Sequence, residues 1–181
     1  MTVRVAISPI RRSDRVSKTG AEREAVAEAV GRLFPDRELT MDHHPDGAPF
    51  IAGAPEIFVS VSHSLTHAAV AIADGPVGID IEQPRPQLEK VAPRFLSDRE
   101  RTVADTVSDG LLRAWTAKEA VFKTMREQAV DFARDIALSD DFATARFRDR
   151  VSLYLNVFDD FPEGNLLTVA SLERDPEITI L

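Results

Sequence analysis

The chain contains no cysteine among its 181 residues, so disulfides, thiolate metal sites and cysteine nucleophiles are excluded and any metal must be held by oxygen or imidazole. Long apolar runs are also missing. Stretches such as Ile57–Val61 and Ala68–Ala73 fall far short of the roughly 20 residues a membrane-spanning helix requires. Met1–Ile10 has a strand-like alternation in place of the charged start, long apolar centre and small-residue cleavage site of a secretory signal, and a cytoplasmic location is expected. Basic charge is scarce: 22 Lys and Arg stand against 30 Asp and Glu, a net charge of −8. That balance argues against a general nucleic-acid binder, whose footprint is a basic face. The deficit is uneven, because Pro84–Arg126 carries nine Lys/Arg and six Asp/Glu, a local +3 that leaves −11 for the remainder. An acidic macromolecule could therefore dock locally.

Hydrophobic residues at 44% and charged residues at 29% describe a folded globular chain. Val3–Ile7 reads as a strand, and Thr19–Phe34 as a helix with Thr19 as its cap and Pro35 as its stop. His43–Pro49 is a turn cluster, followed by strands at Ile57–Val61, Ala68–Ala73 and Val77–Glu82. Helices are expected at Leu88–Phe95, Asp98–Val107 and Leu111–Gln128, and a strand–turn–strand at Val151–Phe158 and Leu166–Leu172. Strands arriving in hairpin-like pairs favour α+β over doubly wound α/β. The two halves echo one another, which predicts two similar α+β lobes, residues 1–75 and 76–181, related by a pseudo-two-fold with the active site between them.

Gly78-Ile79-Asp80-Ile81-Glu82 places two carboxylates at i and i+2 of a strand, so both project from one face. Magnesium takes one or two carboxylates together with phosphate oxygens and water, yet the same alternation also describes any half-exposed strand. Glu119 and Lys123 share a helix face with Trp115 one turn earlier. As a surface pair they would contribute only about 0.2–0.5 kcal/mol, but their setting among Trp115, Ala120, Val121 and Phe122 points to a ligand. Ser62-His63-Ser64 at a strand end offers donors to a phosphate. His43, His44 and His67 have no carboxylate at metal spacing and read as surface or packing residues. Asp98-Arg99-Glu100-Arg101 reads by itself as a solvated helix start.

Taken together and in this order, Ser62-His63-Ser64, Gly78-Ile79-Asp80-Ile81-Glu82, Arg94-Phe95-Leu96-Ser97 leading to Glu100, and Trp115-Thr116-Ala117-Lys118-Glu119-Ala120 ending in Lys123 resemble the 4'-phosphopantetheinyl transferase family. The long stretch before Gly78 and the opening Trp115 resemble its larger, two-lobed type, which activates synthetases such as that for surfactin. The resemblance implies transfer of the phosphopantetheine arm of coenzyme A to a serine of an acyl or peptidyl carrier protein. It further implies that Asp80, Glu82 and Glu119 bind Mg2+ on the coenzyme A pyrophosphate. Ser62 and His63 would hold the 3'-phosphate, Lys123 would neutralise phosphate charge, and Glu100 would take the serine proton. Where relatives usually carry Gly-Lys-Pro this chain has Gly47-Ala48-Pro49, which implies either weaker coenzyme A binding or another base, such as Lys18 or Arg23, in place of the missing cation. An acidic carrier would meet the basic segment holding Arg85, Lys90, Arg94, Arg99 and Arg101. Two other readings remain open on the residues alone: a non-catalytic relative binding carrier or coenzyme A, and a magnesium phosphohydrolase.

Overall fold

A computed structural model describes residues 1–13 and 16–181. The fold is α+β and its sheets are built mainly from antiparallel pairs. The first sheet contains β1 (Thr2–Pro9), β4 (Phe58–His63), β5 (His67–Ala73) and β11 (Glu177–Ile180) in the order β11-β1-β5-β4. The second contains β6 (Val77–Glu82), β7 (Ile136–Leu138), β8 (Thr144–Phe147), β9 (Val151–Phe161) and β10 (Asn165–Ser171) in the order β6-β10-β9-β8-β7. A small hairpin of β2 (Met41–His43) and β3 (Pro49–Ile51) flanks the turn at 44–48. The expected division at Gly75/Pro76 falls between β5 and β6, which lie in different sheets. Strand β11 crosses back, pairing parallel with β1 from Thr2↔Glu177 to Val5↔Ile180.

The core explains why β5 and β10 read as unbroken apolar runs. Val3, Val5, Ala69 and Ala71 of the first sheet form one cluster with Val77, Ile79, Ile81, Leu167 and Val169 of the second. The sheets thus bury a shared interface, and each carries a helix on its outer face. Helix α1 (Lys18–Leu33) lays Ala21, Ala25, Ala29 and Leu33, spaced four apart, inward. Alanines there let the helix approach closely. Its cap is Ser17, whose hydroxyl accepts from Gly20 N–H at 3.1 Å; Thr19 lies within the first turn. Short helix α2 (Gln87–Val91) passes into a 3-10 turn at Ala92–Arg94 containing Pro93, which has no N–H to continue the ladder. Helix α3 (Asp98–Ala104) starts in a reciprocal capping box between Ser97 and Glu100.

Helix α4 (Gly110–Met125) covers the second sheet. Thr116 Oγ1 lies 2.8 Å from Thr168 Oγ1 of β10, and the helix stops at Arg126, which adopts φ 52, ψ 27. This left-handed residue ends the element earlier than Gln128, where the apolar pattern had placed its end. The one-turn helix α5 (Phe132–Asp135) follows, and it, β7, β8 and β11 were not signalled by the sequence pattern. No helix among the described residues is long and apolar enough to cross a membrane.

Gly78 is the tightest point of this packing. A Cβ there would lie 1.9 Å from the Ala120 carbonyl oxygen and 2.8 Å from Thr124 N, backbone atoms that cannot rotate away. Gly78→Ala is expected to lower the unfolding free energy by about 3 kcal/mol. Gly31→Ala, at an exposed α1 position with open space around it, should raise it by about 0.5–1 kcal/mol. Urea titrations of the two variants check both; an unchanged midpoint for Gly78→Ala would contradict the close approach.

Candidate active site

Strand β6 is the edge of its sheet, and its outward N–H groups need partners. Strand β4 supplies them through side chains: Ser60 Oγ accepts from Ile79 N–H at 3.0 Å and Ser62 Oγ accepts from Ile81 N–H at 3.3 Å. The two sheets are therefore stitched along β4 and β6 by hydroxyls in place of backbone carbonyls. Ser62 also donates to Asp80 Oδ1 at 2.7 Å. This linkage was missed from the sequence, although the alternation Val59-Ser60-Val61-Ser62 was its visible sign.

Asp80 projects from β6 toward α4, as the i/i+2 alternation requires, while Ile79 and Ile81 enter the shared core. It is 4% exposed. Lys123 Nζ donates to Asp80 Oδ1 at 2.7 Å and to the Ile79 carbonyl at 3.0 Å. Asp80 Oδ2 is buried without a hydrogen-bond partner, an arrangement that costs about 1–3 kcal/mol unless a cation or donor meets it. Glu82, at the strand end, receives Arg85 Nη2 at 2.7 Å. Burial, followed by the nearby Asp80 charge, pushes the Glu82 carboxyl up, and the Trp115 indole N–H opposes this without reaching hydrogen-bond geometry. Glu119 on α4 is pushed up to about 7, first by burial and then by Asp80, with Lys123 opposing and Glu82 adding to the rise. Asp80, Glu82, Glu119 and Lys123 thus share one electrostatic environment, with α4 holding Glu119 and Lys123 one turn apart above β6.

Among the described residues no three His, Asp or Glu side chains form a ready metal cage. Lys123 and Ser62 occupy Asp80 Oδ1, and Arg85 holds Glu82. The donor set nevertheless fits a hard divalent cation. It is all oxygen, it includes one orphaned buried carboxylate oxygen, and the Asp80 charge helps push the Glu82 and Glu119 carboxyls up, a tension that a cation would relieve.

The other sequence-derived residues lie differently. His63 is exposed, with Nε2 4.0 Å from Glu22 Oε2 of α1, and Ser62 is turned onto Asp80 and the Ile81 N–H. Glu100 is 5% exposed. Its Oε2 accepts from Ser97 N–H at 2.8 Å, Ser97 Oγ at 2.9 Å and Lys118 Nζ at 2.8 Å, and its Oε1 accepts from Leu138 N–H at 2.9 Å. Lys118, fully buried, also donates to the Phe132 and Ile136 carbonyls at 2.8 and 2.7 Å. Both Glu100 oxygens are thus committed to joining α3, α4 and β7. Lys118, which the sequence reading left inside a motif without a role of its own, is the cation that closes this buried network.

A cleft of about 220 Å³ opens between the hairpin turn and the end of α4, lined by Gly47, Ala48, Pro49, Val61, Phe122 and Lys123 among others. Lys123 therefore touches both the cleft and Asp80.

Glu119 ionises less readily in the folded chain than in the unfolded one. Folding stability is therefore highest below about pH 4.5 with respect to this group and falls as pH rises toward 7, by about 2–3 kcal/mol. In chelator-treated protein, Glu119→Gln should remove most of that decline and raise the melting temperature at pH 8 relative to wild type. Parallel melting curves of the two proteins between pH 5 and 8 would contradict the shared environment.

The 4'-phosphopantetheinyl transferase superfamily model matches residues 76–170, the stretch that carries β6, α3, α4 and β10. A 4'-phosphopantetheinyl transferase of Bacillus subtilis is 32% identical over 82 residues, covering 42% of this chain and 37% of that protein. 4'-Phosphopantetheinyl transferase psf-1 of Bacillus pumilus is 30% identical over 95 residues, 50% of this chain and 41% of the relative. 4'-Phosphopantetheinyl transferase Sfp of Bacillus subtilis strain 168 is 32% identical over 118 residues, 59% and 53% respectively. The matches span about half or less of these relatives' own length. With its family match running through the strand and helix that bring Asp80, Glu82, Glu119 and Lys123 together, the chain belongs to the 4'-phosphopantetheinyl transferase superfamily.

Proposed function

We propose that this protein transfers the 4'-phosphopantetheine arm of coenzyme A to a serine of an acyl or peptidyl carrier protein, with Mg2+ and with release of adenosine 3',5'-bisphosphate. The observation that carries the reading is the cluster of Asp80, Glu82 and Glu119 beside Lys123, with Asp80 Oδ2 buried and unpartnered and Lys123 linking Asp80 to the cleft between the two sheets. We take residues 1–75 and 76–181 as the two lobes bordering that cleft, with β11 returning to the first.

Asp80, Glu82 and Glu119 would hold the magnesium, which when bound supplies positive charge to the pyrophosphate oxygens. Lys123 sits on the same ligand and, released from Asp80, would neutralise charge as the phosphate on the adenosine side departs. Such electrostatic positioning is most of what phosphoryl transfer asks of a protein. The carrier serine oxygen forms a bond to the phosphorus bearing the pantetheine arm, the pyrophosphate P–O bond breaks, and the hydroxyl proton needs an acceptor. Glu100 has both oxygens occupied, so we assign it to positioning α3 against α4. Glu119, half-buried on α4 and accepting no hydrogen bond from a described residue, has one oxygen for the metal and would receive the proton on its other.

Mass spectrometry of an apo carrier protein incubated with this protein, coenzyme A and magnesium tests the reading. The expected result is a gain of one phosphopantetheine. Asp80→Ala should abolish the gain while keeping the melting temperature, because deleting one of several clustered acids relieves repulsion. Hydrolysis of coenzyme A with no modified carrier would indicate a phosphohydrolase instead.

We further propose that the carrier is acidic and docks on the segment between β6 and α4. Of the basic residues there, Arg85 is paired to Glu82, Arg99 to Asp140, and Arg101 to both Glu89 and Asp105. Lys90 and Arg94 are exposed and make no ion pair with a described residue. Complementary charge speeds encounter and is screened within about 8 Å at physiological salt. Reversing Lys90 and Arg94 to Glu should raise the KM for carrier about five-fold or more at low salt and leave the KM for coenzyme A unchanged. Unaltered carrier dependence at low salt would count against this surface.

A further inference from the structure

Arg85 stands where the carboxylate cluster meets the segment between β6 and α4. Its Nη2 donates to Glu82 Oε1, at the end of β6, at 2.7 Å. Its guanidinium carbon also lies 6.0 Å from the centroid of the Trp115 ring, at the range of a cation–aromatic contact. One exposed side chain thus spans Glu82 and the aromatic wall of α4. The charge is felt beyond the bond, since Arg85 opposes the upward push on the Glu119 carboxyl as well as on Glu82.

The backbone around this side chain is restricted. Proline occupies both neighbouring positions, Pro84 and Pro86, which limits the conformations open to Arg85, and its carbonyl accepts from Leu88 N–H at 3.1 Å as α2 begins. Any rearrangement there falls to the side chain. The ion pair itself is of a kind that is given up at little cost, because water screens an exposed arginine and holding two long side chains together costs entropy. On its outer side Arg85 lines a shallow groove of about 350 Å³ with Pro84, Leu88, Leu111 and Leu112. The other acids of that groove are engaged elsewhere. Glu89 and Asp105 are paired with Arg101, and Asp109 is met by the Ser108 hydroxyl at 3.4 Å.

Glu82 cannot fully serve two cations. Oε1 is already under the guanidinium, and a divalent ion on the same carboxylate would sit beside a like charge in a partly enclosed site, where repulsion is poorly screened. An acidic partner that settles along α2 and brings its serine to the cluster has to pass Arg85. Resting on the transferase reading above, we propose that Arg85 is a latch: a docked acidic carrier protein takes its guanidinium, Glu82 is released, and the metal site is completed only then. The coupling is reciprocal by linkage, so a metal on Glu82 also frees Arg85 for the carrier. Arg85 is a positioning residue that acts through Glu82.

The test is the affinity for Mn2+, a paramagnetic stand-in for Mg2+, measured from the spin resonance of the free ion. Coenzyme A is left out, and the apo carrier, whose acceptor serine is replaced by alanine, is either absent or saturating. Wild type should bind Mn2+ about ten-fold more tightly with carrier than without it. Arg85→Gln should bind Mn2+ without carrier about as tightly as wild type does with it, and carrier should then change that affinity by less than about two-fold. Arg85→Lys keeps the charge and loses the planar fork, so it should retain part of the coupling. The latch is overturned if Arg85→Gln binds Mn2+ no better than wild type does alone, or if carrier still tightens binding to that variant. Weaker Mn2+ binding by the variant would overturn it too, making Arg85 a support for Glu82. Each of these results leaves the transferase reading standing. A wild-type protein that takes up no Mn2+ even with carrier and coenzyme A both present would overturn the metal-dependent reading, and one that binds no carrier would overturn the docking surface; either removes the latch as well.

Discussion

Helix α4 lies so close to β6 that one methyl group at position 78 would overlap the Ala120 carbonyl oxygen, and the arrangement of every charged group in the cleft depends on that approach. The strand delivers Asp80 and Glu82 on the face toward the helix, and the helix delivers Glu119 and Lys123 on the face toward the strand. A bulkier residue at 78 would separate the two elements, and the 2.7 Å contact between Lys123 and Asp80 would open with them. Thr124 fastens the same approach, donating to the Ala120 carbonyl at 2.8 Å and the Ala170 carbonyl at 3.3 Å. The glycine acts here through its missing side chain, for no left-handed turn is involved. It trades the entropic cost of a glycine in a strand for a helix–sheet distance that no other residue permits.

Two lysines five residues apart on α4 show how burial and pairing assign different work to the same side chain. Lys118 is enclosed, and desolvation pushes its pKa down while Glu100 opposes the shift. Three acceptors surround it, and a network so fully satisfied fixes one arrangement of α3, α4 and β7. Removing one partner from such a pair leaves a buried charge unmet, which costs far more than the pair contributes. Lys123 is only partly enclosed and bonds to Asp80 and to one carbonyl. Its partner keeps an unmatched oxygen. The first pair is complete and rigid, whereas the second leaves a buried carboxylate oxygen unmet, which is the condition the proposed cation would relieve.

The sequence made the alternation of β6 and the helical spacing of Glu119 and Lys123 legible, because period two and period 3.6 are local properties of the chain. Strands β4, β5, β6, β9 and β10 were likewise visible as short apolar runs between turns. What was hidden depends on contacts distant in sequence. Ser62 read as a phosphate donor because hydroxyls at a strand end are free by default, and only the edge of β6, with N–H groups lacking a backbone partner, gave it a different task. Glu100 read as an acid in an ordinary first turn. Its burial follows from Lys118 and the Leu138 N–H, neither of which could be placed beside it without the tertiary fold. The return of β11 to the first sheet was equally out of reach, since Glu177–Ile180 alternates too briefly to announce a partner 175 positions away in the register Thr2↔Glu177.

The serine stitch along β4 and β6 also bears on how the two sheets move. Backbone ladders hold neighbouring strands through a repeating series of bonds, but here two hydroxyls carry the connection at 3.0 and 3.3 Å, joined by Arg126 on the Val59 carbonyl. All three bonds engage β4, and Ser60, Val59 and Arg126 among their partners line the cleft. The shared apolar core beneath them, from Val3 and Ala71 to Ile79 and Val169, fixes the sheets face to face at their centres. The polar seam at the edge is the weaker part of the junction, because each neutral hydrogen bond contributes only about 0.5–1.5 kcal/mol net. Anything that met Asp80, which Ser62 and Lys123 already bond, would therefore act on the seam itself without disturbing the core that keeps the sheets together.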